Sequence, residues 1–302
     1  MELTERYAWD VALPALARAL GDDADALAVG SVGDGSDRFG FDDGISQDHD
    51  WGVSLCVWVP DGSPELSERV NGVMRTLPRE YQGFPVLGFG APCPPWRAGS
   101  WTVGEHYRRF CGTPKGPITL EEWERIPEEA LAAATNGKVF HDGEGSFTAI
   151  RERLLAGYPR IVELRRIASR CRGFAQAGQS NLVRAVLRGD RAGAHLAYSR
   201  AHASACLLVH ALVGRYCPYY KWEHASTAFC CGEMGREVAW LLEELVDARG
   251  PLQRMDAVST QNVVERLASR LCAGLESRGL RGSSSSFLLD QADYIAALAD
   301  DG

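Results

Sequence analysis

Residues 49–59 read HDWGVSLCVWV and give the strongest strand signal in the chain. β-Branched and aromatic side chains dominate this run, and such residues favour strands. Pro60, Asp61 and Gly62 follow it, and residues of these types end strands in turns. We therefore predict a buried strand over 49–59 and take it as the centre of a sheet.

Further strand and helix signals lie on both sides of this run. Strands are predicted over 27–30, 84–89 and 100–103, and helices over 5–20 and 65–77. Pro14 kinks or breaks the first helix near its middle. Strands that alternate with helices indicate an α/β layer rather than a sandwich of two sheets.

The second half of the chain has helical periodicity and no second block of strands. Helices are predicted over 131–139, 147–155, 161–186, 192–212, 236–248, 261–275 and 287–298. Residues 281–286 (RGSSSS) are predicted to form a short flexible linker. The predicted fold class is α/β (α+β): a mixed sheet with helices over 1–130, then an all-α helical bundle over 131–302, with the active cleft between the two domains.

Composition excludes several classes of protein. The 302 residues carry 40 acidic and 32 basic side chains, a net charge of −8, which disfavours a nucleic-acid partner. Because the fold could gather the many arginines on one surface, a protein or RNA acceptor stays an alternative. Apolar runs fall short of the roughly 20 residues of a membrane helix, and the N-terminus lacks the pattern of a signal peptide. The nine cysteines include no C-x-x-C pair and are interpreted as reduced, mostly buried thiols. We expect a cytoplasmic protein with no membrane partner.

Residues 35–52, GSDRFGFDDGISQDHDWG, carry the main candidate site. Gly35 and Ser36 form a turn whose backbone N–H groups and hydroxyl suit phosphate oxygens. Asp48 and Asp50 alternate along the predicted strand and so share one face, while His49 points to the other. Two neighbouring carboxylates repel each other unless they share a hard cation, so this pattern indicates metal-assisted phosphoryl or nucleotidyl transfer.

Two other phosphate motifs are excluded. Residues 30–36 imitate a P-loop, but Ser36 stands where the lysine is required. In the window that begins at Gly33, Arg38 takes the place of the third glycine of a dinucleotide-binding motif.

The Gly-Ser turn, the glycine at position 40 and the D-x-D that opens a strand resemble the nucleotidyltransferase superfamily of the polymerase-β type. The whole stretch resembles more closely a bacterial domain-of-unknown-function family, number 4037, which has no assigned activity. This resemblance continues in four stretches of the helical half: residues 139–143, Gly178-Gln179, Gly189-Asp190 and residues 215–222 (RYCPYYKW).

The superfamily resemblance implies that Gly35 and Ser36 hold the triphosphate of an NTP, with Gly40 and Ser46 in the same nucleotide-binding stretch. It also implies that Asp48 and Asp50 bind Mg²⁺, two ions in an active enzyme. A third carboxylate is expected on the neighbouring strand, yet residues 98–103 contain no acid. Glu105 follows that strand and is the candidate for the missing catalytic carboxylate.

The helical half adds one candidate surface and one alternative. Tyr219 and Tyr220, with Arg215 and Lys221, could stack a base and contact phosphate, and lysine occurs only three times in the chain. A packed aromatic junction is the other interpretation of these residues. His202, Cys206 and His210 share one helix face, which we interpret as a bundle seam, with a zinc protein as the alternative.

Taken together, the sequence predicts an Mg²⁺-dependent nucleotidyltransferase that moves an NMP from an NTP onto a hydroxyl of a small-molecule acceptor. The alternative is a catalytically incomplete protein of the same fold that binds nucleotides or acts as a scaffold. Glu105 separates the two, because transfer needs a third carboxylate close to Asp48 and Asp50.

Overall fold

A computed structural model describes residues 1–45, 51–89 and 98–300. The chain divides into two compact units, Met1–Ala156 and Gly157–Gly302. The first contains the strands, and the elements described in the second are all helices. The predicted fold class, a mixed sheet with helices followed by a helical region, is confirmed. These units meet at Ala156–Gly157, and the boundary after residue 130 stays a prediction.

The first unit is built on one mixed sheet. The strands are β1 (Ala28–Ser31), β2 (Cys56–Val59), β3 (Glu80–Tyr81), β4 (Phe84–Pro85), β5 (Gly99–Thr102) and β6 (Lys138–Asp142). Four of them form a sheet in the order β5-β2-β1-β6, and β3 pairs with β4. β1 runs antiparallel to both β2 and β6, while β2 and β5 are parallel. The chain therefore leaves β1 at the same end of the sheet at which it enters β2.

Helices cover both faces of this sheet. They are α1 (Glu2–Tyr7), α2 (Leu13–Leu20), α3 (Ser36–Phe39), α4 (Pro64–Thr76), α5 (Val103–Cys111), α6 (Leu120–Arg125), α7 (Glu128–Thr135) and α8 (Ser146–Leu155). A π-helical stretch, Ala8–Ala12, joins α1 to α2, so Pro14 does not interrupt the helical path.

Side chains of β2 alternate between two cores. Val57 and Val59 belong to a core that includes residues of α1, α2 and α4. Trp58 points the other way and packs against the rings of His106 and Phe147, at 5.3 and 4.1 Å between ring centroids. Because both faces are covered, β1 and β2 are buried along their whole length, which explains their continuous apolar sequence.

One strand prediction and one helix prediction were wrong in extent. Of the strand predicted over 49–59, residues 51–55 lie before β2, and Val53 makes only a single parallel bridge to Val86. The helix predicted over 131–139 ends at Thr135, and β6 begins at Lys138. Gly137, between them, has a φ of +61°, a value that ends a helix and favours glycine. At this turn the chain leaves α7 and enters β6, a strand that the sequence pattern did not predict.

The second unit is a bundle around one apolar core. Its helices are α9 (Arg160–Phe174), α10 (Val183–Leu187), α11 (Arg191–Leu212), α12 (Tyr220–Cys230), α13 (Gly232–Val246), α14 (Pro251–Arg254), α15 (Ala257–Ser277) and α16 (Leu288–Asp300). A π-helical stretch, Ala175–Leu182, joins α9 to α10. α9 packs against α11 and α16, and α13 packs against α12 and α15.

Residues 281–286, predicted as a flexible linker, are held by two glutamines. Gln179 donates to the Ser286 carbonyl at 3.0 Å and accepts from the Leu288 N–H at 2.9 Å. Gln291, fully buried, accepts from the Gly282 N–H and donates to the Ser285 carbonyl. The amide side chains satisfy backbone groups that a mobile linker would leave to water.

The described part of the chain agrees with the expectation of reduced, mostly buried cysteines. Its cysteines are free thiols, and all except Cys230 are buried. Among the described helices, none has the length and apolar character that crossing a membrane requires.

Candidate functional site

The turn that leaves β1 is held by contacts distant in sequence. We call residues 33–40 the glycine turn. Gly33 donates its N–H to Asn136 Oδ1 at 2.9 Å, and Asn136 Nδ2 donates to the Gly33 carbonyl at 2.8 Å. The φ angles of Gly33 and Gly35 are +121° and +142°, a region that favours glycine. The shape of the turn is therefore fixed by its glycines and by Asn136.

The glycine turn contains one arginine, Arg38, whose side chain is buried beneath the backbone of the turn. Arg38 is 4% exposed, and it donates to Ser31 Oγ at 3.2 Å and to the Asp34 carbonyl at 3.0 Å. Its guanidinium also lies 3.9 Å from the Cys56 sulfur, and burial raises the pKa of that thiol, which is therefore neutral. Arg38 thus gives the underside of the turn a permanent positive charge.

A second arginine reaches the same turn from α5. Arg109 Nη2 lies 2.9 Å from Asp34 Oδ2, and both side chains are partly exposed. The ring of Phe110, the next residue, packs against Gly33: a Cβ added there would lie 3.3 Å from it. Neither Arg38 nor Arg109 was among the residues predicted for the site. Arg38 could have been singled out because it is the one basic residue in the otherwise acidic stretch 34–43. The residues around Arg109 contain no comparable pattern.

Three of the predicted nucleotide-binding residues lie in this turn. Gly35 precedes α3, Ser36 is its first residue, and Gly40 follows it with a φ of +77°. The Phe41 N–H donates to the Ser36 carbonyl at 2.9 Å and closes the turn. Ser46, Asp48 and Asp50 lie outside the described residues, as does His49.

The segment that leads into β2 runs alongside the glycine turn. Gly30 at the end of β1 pairs with Cys56 at the start of β2. Two residues before β2, Ser54 donates its hydroxyl to Asp37 Oδ2 at 3.2 Å. The structure thus brings together the Gly-Ser turn and the approach to β2, which the sequence separates by 17 residues.

Glu105 lies elsewhere. It occupies the third position of α5, where its Oε2 accepts from the Thr102 N–H at 2.7 Å and its own N–H donates to Thr102 Oγ1 at 3.1 Å. Because β5 is parallel to β2, Thr102 pairs with Val59, at the end of the sheet away from the glycine turn. The structure does not bring Glu105 to that turn; Arg109, one helical turn later, contacts it instead.

The remaining predicted residues belong to the second unit. Arg215, Tyr219, Tyr220 and Lys221 are all exposed, and Tyr220 is 87% exposed. The Tyr219 and Tyr220 rings meet edge to face at 5.9 Å, and Lys221 Nζ lies 5.0 Å from the centre of the Trp222 ring. Tyr220 is largely exposed, whereas Tyr219 is 39% exposed, so both interpretations of this stretch stay predictions. These residues form an exposed aromatic and cationic surface.

Comparison with known proteins gives one match. The family model "Domain of unknown function (DUF4037)" matches residues 123–223, from α6 to α12. The predicted similarity to this family is confirmed over that third of the chain, which includes Asn136 and the stretch 215–222. The match does not include the glycine turn, so the similarity to nucleotidyltransferases stays a prediction. No curated protein and no solved structure matches the chain.

Proposed function

We propose that this chain binds a nucleoside triphosphate with Mg²⁺ at the glycine turn and moves its NMP onto a hydroxyl of a small-molecule acceptor. The observation that carries the proposal is the hydrogen bond from Ser54 to Asp37. It joins the Gly-Ser turn to the approach to β2, and the paired aspartates of the motif precede that approach in sequence by only a few residues. A fixed turn and carboxylates close in sequence to its partner strand are what such a site requires.

Two arginines at the glycine turn support a phosphate ligand. The chain as a whole carries −8, so phosphate groups need local cationic partners. Arg38 beneath the turn and Arg109 beside it are such partners. Guanidinium groups suit phosphate because their planar donors match its oxygens in pairs. Arg109 already pairs with Asp34, so an incoming phosphate would compete with that carboxylate.

Asp48 and Asp50 are the proposed Mg²⁺ ligands, since carboxylate oxygens are the donors that Mg²⁺ prefers. The cation would neutralise charge on the phosphate oxygens. In the transfer itself, the acceptor oxygen forms a bond to the α-phosphorus and the bond from that phosphorus to the bridging oxygen breaks. Pyrophosphate leaves, and the hydroxyl proton passes to a base. The rigid turn would hold the triphosphate so that the leaving oxygen lies opposite the acceptor.

The position of Glu105 favours a second function, nucleotide binding without transfer. Its carboxylate accepts the Thr102 N–H at the start of α5, at the end of the sheet away from the glycine turn. The described strand β5, Gly99–Thr102, contributes no acid. A protein with two metal-binding aspartates and no third carboxylate would bind the nucleotide and leave it intact.

The test is calorimetric titration with ATP, GTP, CTP and UTP, each with and without Mg²⁺. The proteins compared are the wild type and the double variant Asp48→Asn/Asp50→Asn. The matched control is Asp42→Asn/Asp43→Asn, which makes the same change of charge in the same stretch. Asp43 accepts the Ile45 N–H at 3.0 Å, a turn contact rather than a ligand position.

Mg²⁺-dependent binding that the first double variant loses and the control keeps supports the site. Pyrophosphate release with added hydroxyl acceptors then supports transfer over binding alone. If none of the four nucleotides binds the wild type, both functions are wrong.

A further inference from the structure

Two histidines of the helical unit face each other at a distance that needs explanation. His202 of α11 and His224 of α12 approach with 3.1 Å between His202 Nε2 and His224 Nδ1. Their rings are nearly parallel, with an interplanar angle of 24°. Cys206, one turn after His202, is fully buried, and its sulfur lies 3.9 Å from His202 Nε2. Three groups that bind soft and borderline metals therefore meet at one point.

The far nitrogen of each ring is held by a carboxylate. His202 Nδ1 lies 3.1 Å from Glu223 Oε1, and His224 Nε2 lies 2.9 Å from Glu243 Oε1. An ionised carboxylate only accepts, so each of these nitrogens carries the ring's hydrogen. The two nitrogens that face each other then both present lone pairs. A contact of 3.1 Å between two lone pairs is repulsive unless a proton or a metal cation lies between them.

Histidines that bind metals in proteins have the same carboxylate contact on the nitrogen that faces away from the metal. Such histidines as a rule donate their other N–H to a carboxylate, a carbonyl or water, which fixes the ring and strengthens the ligand. Here both rings have this support, from Glu223 and Glu243 on two different helices. His210, which shares the face of His202 and Cys206, is occupied differently: its nitrogens contact the Cys206 carbonyl and Ser226 Oγ.

The distances suit a tetrahedral ion. Zinc bonds of about 2.0 Å to nitrogen and about 2.3 Å to sulfur place two nitrogens about 3.3 Å apart and nitrogen and sulfur about 3.5 Å apart. The observed separations are 3.1 and 3.9 Å. Donor atoms of His202, Cys206 and His224 all lie within 4.8 Å of one another. Small side-chain shifts would complete the geometry.

We propose that His202 Nε2, His224 Nδ1 and Cys206 Sγ bind a divalent transition-metal ion of the zinc class. Binding displaces the Cys206 thiol proton to solvent. Among the described residues no fourth histidine or cysteine joins the cluster, so the fourth position is open to water or an added ligand. This site lies within the second unit and is independent of the Mg²⁺ proposed at the glycine turn.

The site has an outward side. Glu243 is 67% exposed and lines an open groove of about 820 Å³ bordered by α13, α14 and α15. Trp240 and Arg266 border the same groove, with the guanidinium 5.2 Å from the ring centre. The cluster is partly buried, and Glu243 lies on its exposed side, where it can be changed without disturbing the core.

The test begins with the full chain, stripped of metal with a chelator and then titrated with Zn²⁺ against a chromogenic chelator. Co²⁺ is added in parallel as a spectroscopic probe. We expect one ion per chain, and with Co²⁺ the strong visible bands of a tetrahedral ion and a thiolate charge-transfer band. Cys206→Ser should remove the charge-transfer band.

Variants separate this site from adventitious binding. His202→Gln and His224→Gln should abolish stoichiometric binding, and Glu243→Gln should weaken it about 10- to 100-fold, the usual cost of losing a supporting carboxylate. The matched controls are His195→Gln, exposed on α11, and Cys230→Ser, partly exposed on α12, and both should bind as the wild type does.

The proposal is overturned if no ion binds stoichiometrically, if the controls lose binding as readily as the ligand variants, or if the Co²⁺ spectrum lacks the thiolate band. If His202→Gln or His224→Gln fails to fold by circular dichroism, the surface variant Glu243→Gln and Cys206→Ser still decide. Binding confined to the histidines, with an unchanged spectrum in Cys206→Ser, also contradicts it.

Discussion

Asn136 and Gly33 exchange two hydrogen bonds although 103 residues separate them in sequence. The amide side chain donates to and accepts from the backbone of one residue, so it fixes both the position and the orientation of that peptide. Asn136 ends α7, and Gly33 begins the glycine turn. The end of a helix in the family-matched region therefore sets the geometry of a turn outside it.

Replacing Asn136 should loosen the turn and destabilise the first unit. Asn136→Ala leaves the Gly33 N–H and carbonyl, both partly buried, without their partner, which costs about 1–3 kcal/mol. Urea unfolding measures this loss, and Asn181→Ala, at an exposed position of the second unit, should change stability by less than about 0.5 kcal/mol. Equal effects of the two substitutions would contradict a special role for Asn136.

Arg109 should matter more for nucleotide affinity than for stability. Its ion pair with Asp34 is partly exposed, and such pairs contribute about 0–1 kcal/mol to folding. A charge-assisted bond to a phosphate is stronger, so Arg109→Gln should weaken triphosphate binding about tenfold. Arg108→Gln is the matched control, because Arg108 is exposed on the same helix and its replacement removes the same charge. Calorimetry measures the triphosphate affinity of both variants. Equal affinities of the two would exclude Arg109 from the site.

Glu105→Gln should be almost silent. Glutamine can take the third position of a capping box, so the bond to the Thr102 N–H is kept and stability should change by less than about 0.5 kcal/mol. Thr102→Ala removes the other half of the box and should cost about 1 kcal/mol. We expect nucleotide binding and any pyrophosphate release to survive in Glu105→Gln. Loss of release with unchanged binding would instead make Glu105 the third catalytic carboxylate.

His106 should make the first unit sensitive to acid. Burial lowers its pKa to about 3, and the rings of Trp58, Trp101 and Phe147 surround it at 4.9–5.4 Å. In the unfolded chain a histidine has a pKa of about 6.5. The unfolded state therefore binds a proton first as the pH falls, and stability that is complete above about pH 6.5 declines from there to about pH 3.

The measurement for His106 is urea unfolding at two pH values. Between pH 7.5 and 5.5 this one group should cost the wild type about 1 kcal/mol. His106→Phe keeps an aromatic ring in the cluster and should remove that part of the loss, whereas His195→Gln, at an exposed position, should not. An unchanged acid dependence in His106→Phe would show that another group causes it.

Gly137 should tolerate no side chain. Its φ is +61°, and a Cβ there would lie 1.9 Å from the Ser31 carbonyl oxygen. Gly145 has a similar φ of +72° but open space around it, so Gly145→Ala bears only the backbone strain, about 1–2 kcal/mol. Gly137→Ala should cost clearly more, because the backbone of β1 or β6 must move. Thermal unfolding of the two variants gives the comparison, and equal losses would show that the contact is relieved without cost.

Local patterns in the sequence determined much of this protein. Helical periodicity predicted the long helices of the second unit, and the apolar, β-branched residues 56–59 predicted the central strand. Turn residues marked the Gly-Ser segment, whose Gly35, Ser36 and Gly40 lie in one turn. These features depend on neighbours within a few residues, which is the range over which backbone preference and periodicity act.

The tertiary structure alone decided which distant groups meet. β6 exists because Gly137 turns the chain back along β1, and Asn136 reaches Gly33 only through that pairing. Glu105 lies away from the glycine turn because β5 runs parallel to β2, a direction that no local pattern specifies. His202 and Cys206 share a helix face by spacing, but His224, Glu223 and Glu243 reach them from two other helices. Such contacts follow from the way whole helices and strands pack together. Local patterns along the chain do not specify which residues of different elements come into contact.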